Sequence, residues 1–132
     1  MKTLKFATNH KSQLIDITKD VKESVIKSGV KDGICVVFTP HTTGSVFLFE
    51  NADPNLHRDL LGKLLRSIPA DVHYSHVGSN ADAHIKSAYM GASVTIPVVD
   101  AQPIFGKWQG VYFGEFDGPR KEREVVIKVI AG

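Results

Sequence analysis

The sequence predicts an α+β fold in which helices pack against mainly antiparallel sheets. Runs rich in β-branched and aromatic residues outnumber the helical segments, and the helices come between groups of strands. This order differs from the strict strand–helix alternation of a doubly wound parallel fold. The predicted strands are residues 2–8, 12–17, 33–39, 44–50, 92–99, 108–116 and 123–130.

Length and composition limit the protein classes that this chain fits. The 132 residues predict a single domain over 1–132, and 42% hydrophobic content suffices for a core. A net charge of +2 argues against a nucleic-acid partner. No apolar run approaches the roughly 20 residues of a membrane span, so we expect no membrane partner. The N-terminus lacks a signal-peptide pattern and Cys35 has no partner, so we expect a cytoplasmic protein.

Capping signals delimit two helices. Asp20-Val-Lys-Glu23 has the form of a capping box, and Gly29 suits the C-cap of the same helix. Asp53 is a suitable N-cap for the second helix, with Pro54 at its first position and Pro69 at its end. The second helix has an apolar stripe formed by Leu56, Leu60, Leu61, Leu64, Leu65 and Ile68.

The segment after the second helix is less regular. Residues 70–82 have no period and many turn formers, which predicts a loop. A short helix follows from about Ala83 to Met90, with Asp82 as its N-cap. Near the C-terminus, the turn Asp117-Gly-Pro-Arg120 predicts that the last two strands form a hairpin.

Histidine is the most informative residue type for chemistry. His41 lies between two predicted strands beside Thr42 and Thr43, while His76 and His84 flank the start of the short helix. Three imidazoles from two loops are able to form a His₃ metal site with an open position for water or substrate. Their spacing matches no recognised zinc motif. The alternative is that the threonines cap a turn and the histidines are ordinary polar residues.

Glu50 and Glu115 are the acidic residues with the clearest potential for acid–base chemistry. Each ends a hydrophobic run, where partial desolvation raises a carboxylate pKa towards the range that general acids and bases need. Exposure at a strand end is the alternative for either residue. Asp53 has the competing role of helix cap.

The segment Gly106-Lys-Trp-Gln-Gly110 combines glycines with groups that bind ligands. Trp108 is able to stack on a heteroaromatic ring, and backbone N–H groups beside glycines are able to approach an anion. The alternative is a β-bulge with a buried tryptophan. Residues 120–123 indicate a solvated hairpin tip.

Several separate motifs, in one order, resemble those of the YjbQ-type family labelled secondary thiamine-phosphate synthases. The resemblance extends over nearly the whole chain and is densest between about residues 41 and 118. The motifs are His41-Thr-Thr, Glu50-Asn-Ala-Asp-Pro54, Arg58-Asp59, Tyr74-x-His76, Asp82-Ala-His-Ile-Lys86, Gly106-x-Trp-Gln-Gly110 and Glu115-Phe-Asp-Gly118.

The resemblance implies a sandwich-like α+β fold, a homotrimer, and sites near the subunit boundaries. It implies a pocket with His41, His76 and His84 around a divalent metal, either zinc or magnesium. Glu50, Asp53 and Glu115 are then its acidic neighbours with catalytic roles. The remaining candidates, assigned to substrate binding, are Thr42, Thr43, Lys86, Trp108 and Gln109.

The family label implies a reaction on small phosphorylated molecules. Hydroxymethylpyrimidine diphosphate joins a thiazole phosphate, giving thiamine phosphate and pyrophosphate. Lys86 and Lys107 are candidate cations for the diphosphate, and Lys107 replaces the threonine expected before Trp108. Diphosphate sites favour Mg²⁺ on carboxylates, whereas three imidazoles favour zinc. A metal-dependent hydrolase and a non-catalytic module for a small ligand or metal therefore stay open.

Overall fold

The fold consists of two antiparallel sheets and three helices, which confirms the predicted α+β class. A computed structural model describes all residues from Met1 to Gly132. In chain order the elements are β1 (Lys2–Phe6), β2 (Gln13–Asp16), α1 (Thr18–Ser28), β3 (Gly33–Phe38), β4 (Gly44–Glu50), α2 (Pro54–Ser67), α3 (Ala81–Met90), β5 (Ser93–Val99), β6 (Gln102–Pro103), β7 (Gln109–Glu115) and β8 (Arg123–Ala131). No helix combines the length and the apolar character that crossing a membrane requires.

The core lies where the two sheets and α1 meet. The larger sheet has the order β1-β8-β3-β5-β6, and the smaller has the order β2-β7-β4. Alternate residues of their strands point inward, as the two-residue period of a strand requires. Helix α1 adds its apolar face to the same cluster. Members of this cluster include Val21 and Val25 of α1, Val37, Ile96 and Ile127 of the larger sheet, and Val46, Val111 and Phe113 of the smaller.

The predicted hairpin between the last two strands is wrong. β7 pairs with β2 and β4 in the smaller sheet, whereas β8 pairs with β1 and β3 in the larger one. The intervening chain bonds to the β1–β2 connection, since Gly118 donates its N–H to the Lys11 carbonyl and Thr8 to the Arg120 carbonyl. The turn residues at 117–120 therefore lie where the chain crosses from the smaller sheet to the larger one. Turn-forming residues are compatible both with a hairpin and with such a crossing.

Two helix starts also differ from the prediction. α1 begins at Thr18, whose N–H and hydroxyl both donate to Oδ1 of Asp16, so the capping box at 20–23 lies inside the helix. α3 begins at Ala81 with Asn80 in the N-cap position. Asp82 is therefore not the cap but a buried residue of the first turn.

The other capping signals are confirmed. Oδ1 of Asp53 accepts the N–H of Asn55 at 2.9 Å, and Pro54 is the first residue of α2. Gly29 closes α1 with φ of +72°, a left-handed conformation that glycine adopts at little steric cost.

We predict opposite effects when alanine replaces two glycines. Gly33 pairs with both β5 and β8, and a Cβ there would lie 1.9 Å from the Ile130 carbonyl oxygen. Gly33→Ala should therefore destabilise the fold by about 1 to 3 kcal/mol. Gly62 lies inside α2, where a Cβ would meet only the flexible Arg66 side chain at 3.2 Å. Gly62→Ala should stabilise by about 1 kcal/mol, because alanine favours helix.

Urea unfolding of both variants beside the wild type measures these changes in the free energy of unfolding. Equal stability of the two variants would contradict the strand packing described at Gly33.

Candidate functional site

His76 and His84 come together beside a concave pocket. Their ring centroids are 5.3 Å apart with planes at 69°. The pocket has a volume of about 350 Å³. His84 extends from the first turn of α3, and His76 comes from the connection between α2 and α3. The other residues that line the pocket are Tyr74, Ser75, Ala81 and Ile85.

The connection that carries His76 bends sharply at Gly78. Its φ is +146°, in the region that residues with a Cβ rarely adopt. A Cβ at this position would lie 3.3 Å from Nε2 of His76, closer than most Cβ contacts. Glycine therefore lets the backbone turn close beside the imidazole and keep it facing His84.

His41 accepts a hydrogen bond from the backbone of β8. The Glu124 N–H donates to Nε2 of His41 at 2.9 Å, which ties the β3–β4 connection to β8. Burial lowers the pKa of His41, and the positive charge of Arg123 lowers it further. His41 is therefore held neutral, with its Nε2 lone pair already used.

Within one chain, no three His, Cys, Asp or Glu side chains are grouped so as to hold a metal ion. The structure brings together two of the three predicted metal ligands, His76 and His84. The three-histidine metal site stays a prediction.

Glu115 is locked in a buried polar network. It is fully buried, and its two oxygens accept hydrogen bonds from Arg123 at 2.7 and 3.1 Å and from the Thr8 hydroxyl at 3.2 Å. Arg123 also donates to Oγ1 of Thr43 at 2.8 Å. The expectation of a solvated tip at 120–123 is wrong for Arg123, which is 2% exposed. Glu115 and Thr43 are thus both buried against Arg123 and do not face solvent.

Glu50 and Asp53 shape the start of α2. Oε1 of Glu50 accepts the backbone N–H groups of Ala52 and Asp53, both at 2.9 Å. His57 donates from Nε2 to the Glu50 carbonyl oxygen at 2.5 Å. Both carboxylates therefore order a turn in this chain, and Glu50 keeps a partly exposed side chain.

The strand register places Glu115 and Glu50 far apart in the smaller sheet. In the β4–β7 pair, Gly44 faces Glu115 at one end and Glu50 faces Gln109 at the other. The six residue steps from Gly44 to Glu50 span about 20 Å. The predicted catalytic residues Glu50 and Glu115 consequently lie at opposite ends of the same ladder.

Trp108 and Gln109 belong to the Glu50 end. Trp108 is 59% exposed, so the alternative of a buried tryptophan is wrong. Nζ of Lys107 lies 5.2 Å from the Trp108 ring centroid, a cation–π distance. Oε1 of Gln109 accepts the Gly106 N–H at 2.8 Å and closes the turn that presents the indole. Thr42, at the other end, is exposed.

The motif Asp82-Ala-His-Ile-Lys86 divides between two faces of α3. Lys86 is 2% exposed and donates from Nζ to Oδ2 of Asp82 at 2.8 Å, one helical turn earlier. His84, two residues from each, points instead to the pocket. The ammonium of Lys86 is therefore engaged inside the fold and away from solvent.

Cys35 is not a nucleophile in this fold. Its side chain is fully buried in the core, and burial raises the pKa of its thiol to about 11. The thiolate, which is the reactive form, is therefore scarce at neutral pH.

Three residues that matter at these sites were not among the candidates. Arg123 shares the inward face of β8 with Val125 and Ile127, so the two-residue period of the strand was a usable signal for its burial. His57 lies within the apolar stripe of α2, where a polar residue marks a specific contact. The side chain of Asn80 donates to Asp117 at 2.9 Å, and no local sequence pattern predicts this contact.

A sequence profile described as "UPF0047 protein YjbQ-like" matches residues 2–132. The chain belongs to the YjbQ-like family. It is 45% identical to a UPF0047 protein of Methanocaldococcus jannaschii over 93% of this chain and 88% of that protein. It is 38% identical to the UPF0047 protein YugU of Bacillus subtilis over 98% of both chains.

A crystal structure of a YjbQ-like protein from Clostridium acetobutylicum has the same fold. The TM-score is 0.96 at 45% identity, and the match covers 98% of this chain and all of that one. The recognised motifs thus belong to a YjbQ-like chain, and the two-sheet arrangement is shared with that protein.

We predict that replacing Glu115 affects stability strongly. Glu115→Gln leaves the buried guanidinium of Arg123 without a counter-charge, which should cost about 3 to 5 kcal/mol. Arg120→Gln removes an ion pair with Asp117 whose arginine is 44% exposed, and should cost less than about 1 kcal/mol. Urea unfolding of both variants tests the contrast. A Glu115→Gln protein as stable as the Arg120→Gln control would refute it.

We predict that His41 contributes to acid destabilisation. Folding lowers the pKa of His41, so the unfolded chain binds the proton more readily. The stabilisation from neutral His41 is therefore present above the ordinary histidine pKa of about 6.5 and is lost as the pH falls below it.

His41→Gln keeps an acceptor for the Glu124 N–H but does not titrate. Between pH 7.5 and pH 5 it should lose less unfolding free energy than the wild type, as measured by urea titration. The exposed control His10→Gln should follow the wild type. Parallel losses in wild type and His41→Gln would rule out this role.

Proposed function

We propose that this chain is a small homotrimeric enzyme that acts on a phosphorylated molecule at the His76–His84 pocket. The observation that carries the proposal is the pair of imidazoles, 5.3 Å apart, beside a pocket of about 350 Å³. Paired imidazoles in a concave site suit metal binding or proton transfer. The specific activity that we propose is thiamine-phosphate synthesis, which the family resemblance implies.

The donor set at this pocket fits a transition metal. Two imidazoles bound to one tetrahedral zinc, with bonds of about 2 Å, have ring centroids about 5 Å apart. The separation of 5.3 Å between His76 and His84 agrees with that spacing. No carboxylate lines the pocket, so the residues suit zinc better than Mg²⁺. His76 and His84 would hold the ion, and further ligands would be water or a group from a neighbouring copy.

The proposed reaction joins two rings by substitution. The thiazole nitrogen forms a bond to the methylene carbon of the pyrimidine, and the bond from that carbon to the diphosphate oxygen breaks, releasing pyrophosphate. A bound metal supplies positive charge for the leaving diphosphate. Trp108, exposed beside Lys107, offers a stacking face for a heteroaromatic ring and a nearby cation. In the proposed homotrimer, a neighbouring copy would bring such groups to the pocket.

We predict that metal binding depends on His76. Elemental analysis of tag-free protein, after incubation with zinc and desalting, should give about one metal per chain for the wild type. His76→Ala should lose that metal because half of the imidazole pair is gone, whereas His73→Ala, in the same connection but outside the pocket, should keep it.

Release of pyrophosphate from the two named substrates is measured on the same samples. Absence of metal in every protein, after zinc or manganese, would overturn the metal part of the proposal. Metal without pyrophosphate release would overturn the named activity.

A non-catalytic module for a metal or small ligand is the second candidate, and one observation favours it. In a single chain the acidic candidates are engaged elsewhere: Glu115 with Arg123, and Glu50 with the first backbone groups of α2. Under this alternative the His76-dependent metal is present, yet neither the wild type nor Glu50→Gln shows turnover, and both have the same metal content. An enzyme should lose turnover in Glu50→Gln while its metal content persists.

A further inference from the structure

A second concave site lies between helix α1 and the end of the larger sheet. Its volume is about 350 Å³, near the lower end of the range for small-molecule sites. The side chains that line it come from residues 20–28 of α1, from residues 1–4 and from residues 127–129 of β8, and none of them lines the His76–His84 pocket. We call this site the α1 cleft.

One wall of the α1 cleft is the apolar inward face of the larger sheet. Leu4 and Ile127 are buried members of the core, and Val129 packs against the same core. Lys2 lies opposite Ile127 in the β1–β8 pair, so its side chain starts from the same face of the sheet. The sheet wall is thus an apolar floor with one cation at its edge.

The other wall is a polar face of α1. The residues of α1 that line the cleft recur at helical spacing and therefore share one side of the helix: Asp20, Glu23, Ser24, Lys27 and Ser28. Polar side chains gain little from contact with an apolar surface that offers them no hydrogen bonds. The helix wall and the sheet wall consequently do not pack closely, and a cleft remains between them. A ligand that fits it needs an apolar side and a polar side.

The charged side chains around the cleft have both signs. Asp20 and Glu23 belong to the first half of α1, whereas Lys27 lies one turn beyond Glu23 and Lys2 comes from β1. None of these four side chains forms an ion pair within the chain. An ion of one sign would be attracted by one pair and repelled by the other. A zwitterion is attracted by both pairs.

The spacing of the charges determines how long such a zwitterion is. Because a helix rises 1.5 Å per residue, Lys27 lies about 6 Å from Glu23 and about 10 Å from Asp20 along the axis of α1. The charged ends of an extended dipeptide are about 7 Å apart. A single amino acid carries both charges on one carbon and is too short to reach from the acidic residues to Lys27.

From these observations we infer that the α1 cleft binds an apolar dipeptide with free ends. Asp20 and Glu23 hold the ammonium group of the ligand. Lys2 and Lys27 hold its carboxylate. Its two side chains cover the sheet wall, and their removal from water contributes to the affinity. This binding site is independent of the histidine pocket and of the reaction proposed there.

Nuclear magnetic resonance of the ¹⁵N-labelled protein tests the binding. Leucyl-leucine, added in steps to about 10 mM, should shift the amide signals of residues 2–4, 20–28 and 127–129 with a Kd below about 1 mM. Two matched peptides separate the contributions of charge and apolar surface. Acetyl-leucyl-leucine amide lacks the charged ends, and glycyl-glycine lacks the apolar side chains. Each should bind at least about three- to fivefold more weakly.

Single charge variants test the orientation of the ligand. Glu23→Gln and Lys27→Gln each remove one charge at an exposed position, so the fold should persist, as circular dichroism checks. Each variant should bind leucyl-leucine about three- to fivefold more weakly than the wild type. Lys19→Gln, at an exposed position of α1 outside the cleft, is the control and should bind as the wild type does.

Several results would overturn the inference. These are no saturable shift with leucyl-leucine, equal affinity for the blocked peptide, unchanged affinity in either Glu23→Gln or Lys27→Gln, or shifts confined to residues 74–85 around the histidine pocket. The measurement involves neither metal nor pyrophosphate release. Binding in the α1 cleft by a protein without metal or turnover would therefore contradict the proposed function alone.

Discussion

The ion pair between Glu115 and Arg123 joins the two sheets at the point where the chain crosses from one to the other. β7 ends at Glu115 in the smaller sheet, and β8 begins at Arg123 in the larger. A buried pair adds little net stability compared with an apolar contact, yet removing one partner leaves a costly unpaired charge. Because the pair satisfies Thr8 and Thr43 as well, the connections β1–β2 and β3–β4 are held by the same contact.

The Glu115–Arg123 ion pair determines which polar side chains stay accessible to a ligand. The network at the Glu115 end withdraws a carboxylate and an arginine from solvent, and the adjacent His41 is tied to the Glu124 backbone. The β4–β7 ladder then keeps Glu50 about 20 Å away, at the start of α2. Of the three predicted metal ligands, His76 and His84 are the two that lie together beside an open pocket. Under the proposed function, further groups at that pair would come from water or from a neighbouring copy of the chain.

The two helices α2 and α3 differ in how well the rest of the chain covers them. Asp82 and Lys86 face inward and form a buried ion pair with each other within α3, while His84 faces the pocket. The apolar stripe of α2 is less well covered: Leu60, Leu61 and Leu64 are half-buried, and Leu56 and Leu65 are exposed. His57 packs against Tyr112 of the smaller sheet. The segment from α2 to α3 is therefore well packed at α3, whereas part of the apolar stripe of α2 stays exposed.

The sequence by itself determined the element types, most of their bounds and the family. Period-two runs and the caps at Gly29 and Asp53 are local signals, and local backbone preferences act the same way in any fold. It did not determine the sheet to which β8 belongs, because the turn at 117–120 is compatible with a hairpin or a crossing. The same limit applies to the site. Glu50 and Glu115 look alike in sequence, each ending an apolar run, and only the strand register and the position of Arg123 decided that one shapes a helix start while the other is buried. Burial and ion pairing depend on residues distant in the chain, and such contacts exist only once the sheets have packed.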